Sequence, residues 1–300
     1  MKTYKLYQID SFTKEKFRGN PAGVITNADG LSESDMQKIA RELNNSETAF
    51  IFSSNSKDYD VHLRYFTPTI EVPICGHATI AAHYARSIEN NLQSSKIYQK
   101  TKAGILPIDI IHENDDYKIV MTQGAIEYGT YIEEDYKMQL LSALGITQND
   151  LLEKHKIQIV STGHSKVMIG VKSTNIVNQL KPNYDALAKL SGRIQCNGYY
   201  VYTMNGVEED ILIHGRMFAP AIGINEDPVT GNANGPLGAY LVHHKLVEHN
   251  GTQFKFKAKQ GEVIGRMGMI EVIVDIENNN PVLVKIVGNA VIAFQSEIVI

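Results

Sequence analysis

Arg64-Tyr65-Phe66-Thr67-Pro68-Thr69-Ile70, with Gly76-His77-Ala78 close behind it, is the stretch on which the fold turns, because the chain states it twice. The second statement is Arg216-Met217-Phe218-Ala219-Pro220-Ala221-Ile222, followed by Gly231-Asn232-Ala233. The offset is 222 − 70 = 152 through the strand-like part and 231 − 76 = 155 at the glycine, which places three added residues around Glu226-Asp227-Pro228. A repeat near half the chain length is too long for a solenoid unit. It points to two similar domains facing one another across a cleft.

Composition sets outer bounds. The 300 residues are 43% hydrophobic and 21% charged, as expected of a soluble globular protein of about two domains. Twenty-nine Lys and Arg against 33 Asp and Glu leave a net charge of −4, which implies no general attraction to nucleic acid or an anionic membrane. No apolar run approaches the ~20 residues that span a bilayer. The only cysteines are Cys75 and Cys196, and Met1-Lys2-Thr3-Tyr4-Lys5-Leu6 lacks the long apolar core of a signal peptide, so a reduced cytoplasmic setting is expected. The ten histidines show neither His-x-x-x-His nor Cys-x-x-Cys spacing, so no metal site is expected.

Short β-rich runs dominate, among them Tyr4–Ile9, Thr48–Phe52, Val61–Phe66, Ile105–Ile111, Tyr199–Thr203, Ile211–Met217, Ile270–Val274 and Ala290–Phe294. The turn residues between them favour antiparallel hairpins. Ser32-x-x-Asp35 predicts a helix start, continued by Met36, Ile39, Ala40 and Leu43 at helical spacing and stopped by Asn44-Asn45. A charged helix over Glu133–Leu144 is expected to end at Gly145. The segments after the two glycines differ, since Ala78, Ile80, Ala81, Ala82, Tyr84, Ala85 and Ile88 leave no broad polar face, and neither does Pro236 to Val242. Such helices are buried on all sides. The expected architecture is therefore α+β, two pseudo-symmetric domains over residues 1–126 and 127–300, each an antiparallel barrel-like sheet around a central helix. The last strand is free to return to the first domain.

Cys75-Gly76-His77-Ala78 and Thr230-Gly231-Asn232-Ala233 each stand between a strand-like run and a buried helix. Glycine admits a ligand to the backbone, and free N–H groups at a helix start attract an anion. In one copy the glycine could simply serve the turn; duplication favours a site. Glu47 sits between the amphipathic helix and an apolar strand, where partial desolvation would make it a better base, although most such Glu point to water. His77 can act as acid or base, or merely cap or pack. Asp227 can cap a helix or bind a substrate ammonium. Thr230 takes the place of Cys75 in the second half, so the paired thiols of a two-thiol epimerase are missing, and Cys75 reads as a small packing residue.

At these residues the chain resembles the PhzF-like family, the phenazine-biosynthesis isomerase and its relatives with the diaminopimelate epimerase fold. The resemblance covers nearly the whole chain. It is carried by Asp10-Ser11-Phe12, Gly19-Asn20-Pro21-Ala22, Asn45-Ser46-Glu47-Thr48-Ala49-Phe50, Phe66-Thr67-Pro68 leading to Cys75-Gly76-His77-Ala78-Thr79, Glu226-Asp227-Pro228-Val229-Thr230-Gly231, and Gln260-Gly261 with Gly265-Arg266-x-Gly268. It implies a homodimer with no metal or organic cofactor. In the characterised isomerase a glutamate moves a proton between carbons of a dihydro-hydroxyanthranilate; the matching residue is Glu47, and the family's site histidine and aspartate map onto His77 and Asp227. Asn20, Gly76, Thr230, Gly231 and Asn232 are the expected substrate-binding residues. Asn232 departs from the serine of that isomerase and puts the phenazine substrate itself in question. The sequence therefore reads as a cofactor-independent isomerase of a small, cyclic amino- or hydroxy-carboxylic acid. An epimerase with a second acid facing Glu47, and a metabolite-binding protein without turnover, are the alternatives.

Overall fold

The computed structural model describes residues 1–206 and 208–300. They form two compact units, Met1–Thr122 with Val287–Ile300, and Gln123–Ile286. The first unit runs β1 (Thr3–Ser11), β2 (Asn20–Ile25), α1 (Glu33–Leu43), β3 (Thr48–Ser53), β4 (Val61–Phe66), β5 (Glu71–Val72), α2 (Gly76–Asn90), β6 (Ser95–Thr101), β7 (Gly104–Glu113) and β8 (Asp116–Thr122). The second holds β9 (Glu127–Tyr131), α3 (Glu134–Leu144), β10 (Gln158–Ser161), β11 (Lys166–Gly170), α4 (Thr174–Gln179), α5 (Tyr184–Ile194), β12 (Tyr199–Thr203), β13 (Ile213–Ala219), β14 (Ile224–Asp227), α6 (Gly231–His243), β15 (Gln253–Gln260), β16 (Gly268–Glu277) and most of β17 (Asn280–Gly288). The final strand, β18 (Ala290–Val299), pairs with β1 in the first unit.

Local chemistry explains the helix boundaries. Ser32 Oγ accepts from Asp35 N at 3.1 Å to open α1, and Asn44, left-handed at φ 51°, closes it. Met36, Ile39 and Ala40 pack with Tyr4, Leu6, Ile25, Phe50 and Phe66. Gly145 ends α3 at φ 72°, a conformation in which a β-carbon would be strained. The short helix α4 and the longer α5 were not foreshadowed by the β-rich runs. They begin at Ser173 and Asn183, whose side chains accept from Ile176 N and Ala186 N.

In each unit the sheet wraps one buried helix. α2 packs against β1, β2, β3, β8 and β18, and α6 against β10, β11, β15 and β16. Residues 77–85 of α2 are all buried, as are 233–242 of α6. Ile88, expected inside, is 42% exposed, on the opposite side of the last turn from the fully buried Ser87. Most strand pairs are antiparallel, but β2–β3 and β4–β6 are parallel, and so are β11–β12 and β13–β15. Each parallel pair needs a crossover, supplied by α1 and α2 in the first unit and by α4 with α5, then α6, in the second.

The repeat extends to side chains. Arg64 Nε and Nη2 grip Glu71 at 2.7 Å each, and Arg216 grips Glu226 at 2.9 and 2.7 Å in the same fork. Each guanidinium also lies over a phenylalanine ring, Arg64 over Phe66 at 5.1 Å and Arg216 over Phe218 at 5.0 Å. Glu71 therefore corresponds to Glu226, with offset 226 − 71 = 155. The three added residues precede Glu226, at Gly223-Ile224-Asn225, directly after the single turn over Pro220–Ile222 that Gly223 closes. Asp227 is thus no part of an insertion. It stands where the first unit has Val72.

Candidate active site

The first unit gathers its share of the expected residues around the start of α2. Ser11 Oγ donates to His77 O at 2.8 Å and ties β1 to the first turn of the helix. Asn20 pairs with Ser11 across β1 and β2 and is 1% exposed. The His77 ring then meets three neighbours: Glu47 Oε2 lies 3.4 Å from Nε2, Ser46 Oγ 3.3 Å from Nε2, and Cys75 Sγ 3.4 Å from Nδ1. The Glu47 side chain is 15% exposed and turned toward the imidazole, so the reading that it points to water does not hold. A thiol, an imidazole and a carboxylate in a row can pass a proton. Glu47, Cys75 and His77 also each offer one ligand atom, all within 4.8 Å of one another, so they could hold a soft divalent ion. Sequence spacing concealed this group because Glu47 joins the other two through space.

The second unit builds a polar cluster at the start of α6. Asp227 Oδ2 accepts a short hydrogen bond from Thr230 Oγ1. Gln260, 1% exposed, donates through Nε2 to Asp227 O at 2.8 Å and Thr230 Oγ1 at 3.1 Å, while its Oε1 accepts from Thr230 N at 3.3 Å and Asn234 Nδ2 at 3.1 Å. Tyr200 OH donates to Asn234 Oδ1 at 2.6 Å. Asn232 Oδ1 accepts from Gln123 Nε2 at 3.3 Å, and Thr162 Oγ1 donates to Gln123 Oε1 at 2.7 Å. Gln260, Gln123 and Ser46 were not singled out from the sequence as site residues. A glutamine that closes an alternating strand, as Gln260 closes β15, is the signal that could have found one of them.

The two helix starts share a design. Cys75 and Thr230 are the N-cap residues, neither makes a side-chain cap hydrogen bond, and neither first turn contains an acidic residue. Asp227 binds the N-cap hydroxyl. Without a side-chain cap or an acidic residue of its own, each first turn keeps the positive end of its helix dipole available to an anion, with Glu47 beside His77 at one start and Asp227 on the N-cap hydroxyl at the other.

A mixed sheet wrapped around a central helix, made twice, defines an α+β protein of the epimerase-fold class. The chain belongs to the PhzC-PhzF family of phenazine biosynthesis-like proteins, whose family model matches residues 9–296. It is 70% identical over 300 residues to an uncharacterized isomerase of Clostridium acetobutylicum, covering 100% of this chain and 99% of that one. The crystal structure of a PhzF-family phenazine biosynthesis protein from Bacillus anthracis superposes with TM-score 0.89 at 32% identity, each chain covered completely (100%). A hydroxyproline epimerase from Agrobacterium vitis shares the fold at TM-score 0.65 and 10% identity, covering 99% of this chain and 91% of that one.

Proposed function

We propose that the protein is an isomerase that works without a cofactor on a small, cyclic amino- or hydroxy-carboxylic acid, with Glu47 as the base. The observation that carries the reading is the Glu47 carboxylate held 3.4 Å from His77 Nε2 at the start of a buried, uncapped helix. Glu47 takes a proton from a carbon conjugated with the substrate carboxylate. The C–H electron pair moves into the conjugated system as an enolate-like charge, and the same carboxyl group then returns the proton to another carbon on the same face. His77 and Asp227 orient the polar substituents. The helix starts at Gly76 and Gly231, with Asn20, Thr230 and Asn232, bind the acid and meet the developing charge, the largest usual contribution in such chemistry. The isomerase names of the relatives support the reaction class. A homodimer and a cytoplasmic location belong to the same proposal.

The test is deuterium uptake from heavy water into a panel of cyclic amino and hydroxy acids, read by mass spectrometry. Glu47→Gln keeps size and removes the base, so exchange should fall about 10²–10⁴-fold, roughly 3–5 kcal/mol of barrier. Exchange in the variant within a few-fold of wild type removes Glu47 from the mechanism. Uptake with inversion at a single carbon would instead identify an epimerase. Gly231→Ala is expected to weaken acid binding; the new Cβ would crowd Ile286 Cδ1 at 2.5 Å, the end of a side chain that can shift, and would reach Gln123 Nε2 at 3.7 Å in ordinary contact.

A further inference from the structure

The first unit holds a polar pocket at the far end of its buried helix. It is a cavity of about 560 Å³ walled, among others, by Lys2, Lys5, Asp60, Arg86, Glu89 and Asn90, all within that one unit. Arg86 stands 86 − 77 = 9 residues beyond His77 on α2, about 13 Å along the helix axis. The pocket is therefore separate from the candidate active site.

Its charged groups are unevenly matched. Glu89 Oε1 accepts from Lys5 Nζ at 3.0 Å and from Tyr7 OH at 3.2 Å, Asp60 Oδ2 accepts from Tyr98 N at 2.7 Å, and Lys2 Nζ donates to Asp29 O. Arg86 is half-buried, yet among the described residues its guanidinium makes no hydrogen bond and no ion pair, and its Nη1 is shielded from solvent. Burial holds its pKa below the usual arginine value, while Asp60 acts the other way without closing to an ion pair. A guanidinium carries five donors in a planar fork, so leaving one partly buried with no acceptor is costly.

The fold does not ask for this charge. With Gly76 matched to Gly231, an offset of 155, Arg86 corresponds to Leu241, which is completely buried in α6. An apolar side chain serves the same helix position in the second unit.

We propose that this pocket is an anion-binding site, distinct from the candidate active site, in which Arg86 grips the phosphate or carboxylate group of a small metabolite. A planar guanidinium matches two oxygens of either group, and Lys2 supplies a second cation in the same wall. The side-chain amides of Asn27 and Asn90 line the pocket beside them and suit the polar remainder of such a molecule. The cavity also falls within the roughly 300–1,000 Å³ of small-ligand sites.

Thermal unfolding of the full-length protein at pH 7.5, with sodium phosphate or sodium acetate replacing chloride at equal ionic strength, tests the site. At saturation at least one of the two anions should raise Tm by about 2 °C or more over chloride, because a ligand that binds only the folded state stabilises it. Arg86→Met should abolish the rise, and its own Tm in chloride should equal or exceed that of wild type, since methionine keeps the stem and removes an unpaired charge. A rise with phosphate alone assigns a phosphorylated ligand, and one with acetate alone a carboxylate. No rise with either anion in wild type, or a rise that survives in Arg86→Met, overturns the proposal. So does a lower Tm or failure to fold in Arg86→Met, which would make the guanidinium a structural group.

Discussion

At the scale of single residues, the proposed chemistry turns on which member of the row Cys75, His77, Glu47 would exchange a proton with substrate. The 3.4 Å contact between Cys75 Sγ and His77 Nδ1 would favour a thiolate if the imidazole were protonated. A thiol mechanism on two faces needs a second thiol, and the matching N-cap is Thr230. Cys75→Ala is therefore expected to leave turnover within a few-fold of wild type. A chelator should likewise leave turnover unchanged; loss of activity on chelation would show that the three donors hold an ion. Complete inactivation by a thiol alkylating agent, resisted by Cys75→Ala, would put the thiol in the mechanism and revive the epimerase reading. The residues of this row were legible in the sequence, since the motifs around Glu47 and Gly76 name them. Their distances were not, because the 30 positions from Glu47 to His77 are closed only by pairing β2, β3 and β4 beside α2.

At the scale of elements, the two Arg–Glu forks hold the strap between the fourth or thirteenth strand and its buried helix. They differ in their surroundings. The side chains of Arg216 and Glu226 are each 5% exposed, and Arg216 Nη1 also donates to the carbonyls of Val177 and Leu180. Arg64 is 19% exposed and has Glu33 as a second partner, while Lys102 shares Glu71. Glu226→Gln leaves a buried guanidinium without its counter-ion and should cost about 3–5 kcal/mol in urea unfolding. Glu71→Gln should cost less than half as much, since Arg64 keeps Glu33 and water. Equal losses would show that burial does not set the difference. The helix ends at Asn44 and Gly145 were legible because capping is local. The parallel pairings were hidden, because alternating apolar residues report burial and not which strand lies alongside. The repeat itself was legible, but placing its insertion needed the fork, which fixes Glu226 opposite Glu71 in the alignment of the halves.

At the scale of the whole molecule, each unit contains a histidine that folding holds neutral, His83 fully buried and His155 half-buried, and acid should therefore destabilise both. Burial pushes His83 down to about 4, with Arg86 acting the same way and the bond from Gln99 opposing. Its Nε2 meets Gln99 Oε1 at 2.8 Å and its Nδ1 is buried without a partner, so a second ring proton would have no acceptor. His155 is lowered to about 4 by burial and by His244, and its Nδ1 meets Tyr202 OH at 2.8 Å. In the unfolded chain these rings take up protons near pH 6.5, whereas in the folded protein they stay neutral until about pH 4. The unfolded state thus binds more protons in that window, and stability falls as pH drops through it. His83 alone should account for roughly 3 kcal/mol between pH 7.5 and pH 4. His155 adds less, since solvent reaches it. Below that window Asp150 and Asp275 extend the loss. Hydrogen bonds from the Thr147 backbone and side chain hold the first low, and at the second the upward push of burial is outweighed by Lys285, Gln253 and Lys255 together. Urea unfolding at pH 7.5, 6.0 and 4.5 should show the decline, and His83→Gln should remove up to one proton from its slope. A flat profile, or a slope that His83→Gln leaves unchanged, would mean that the His83 ring titrates alike in the folded and unfolded chains.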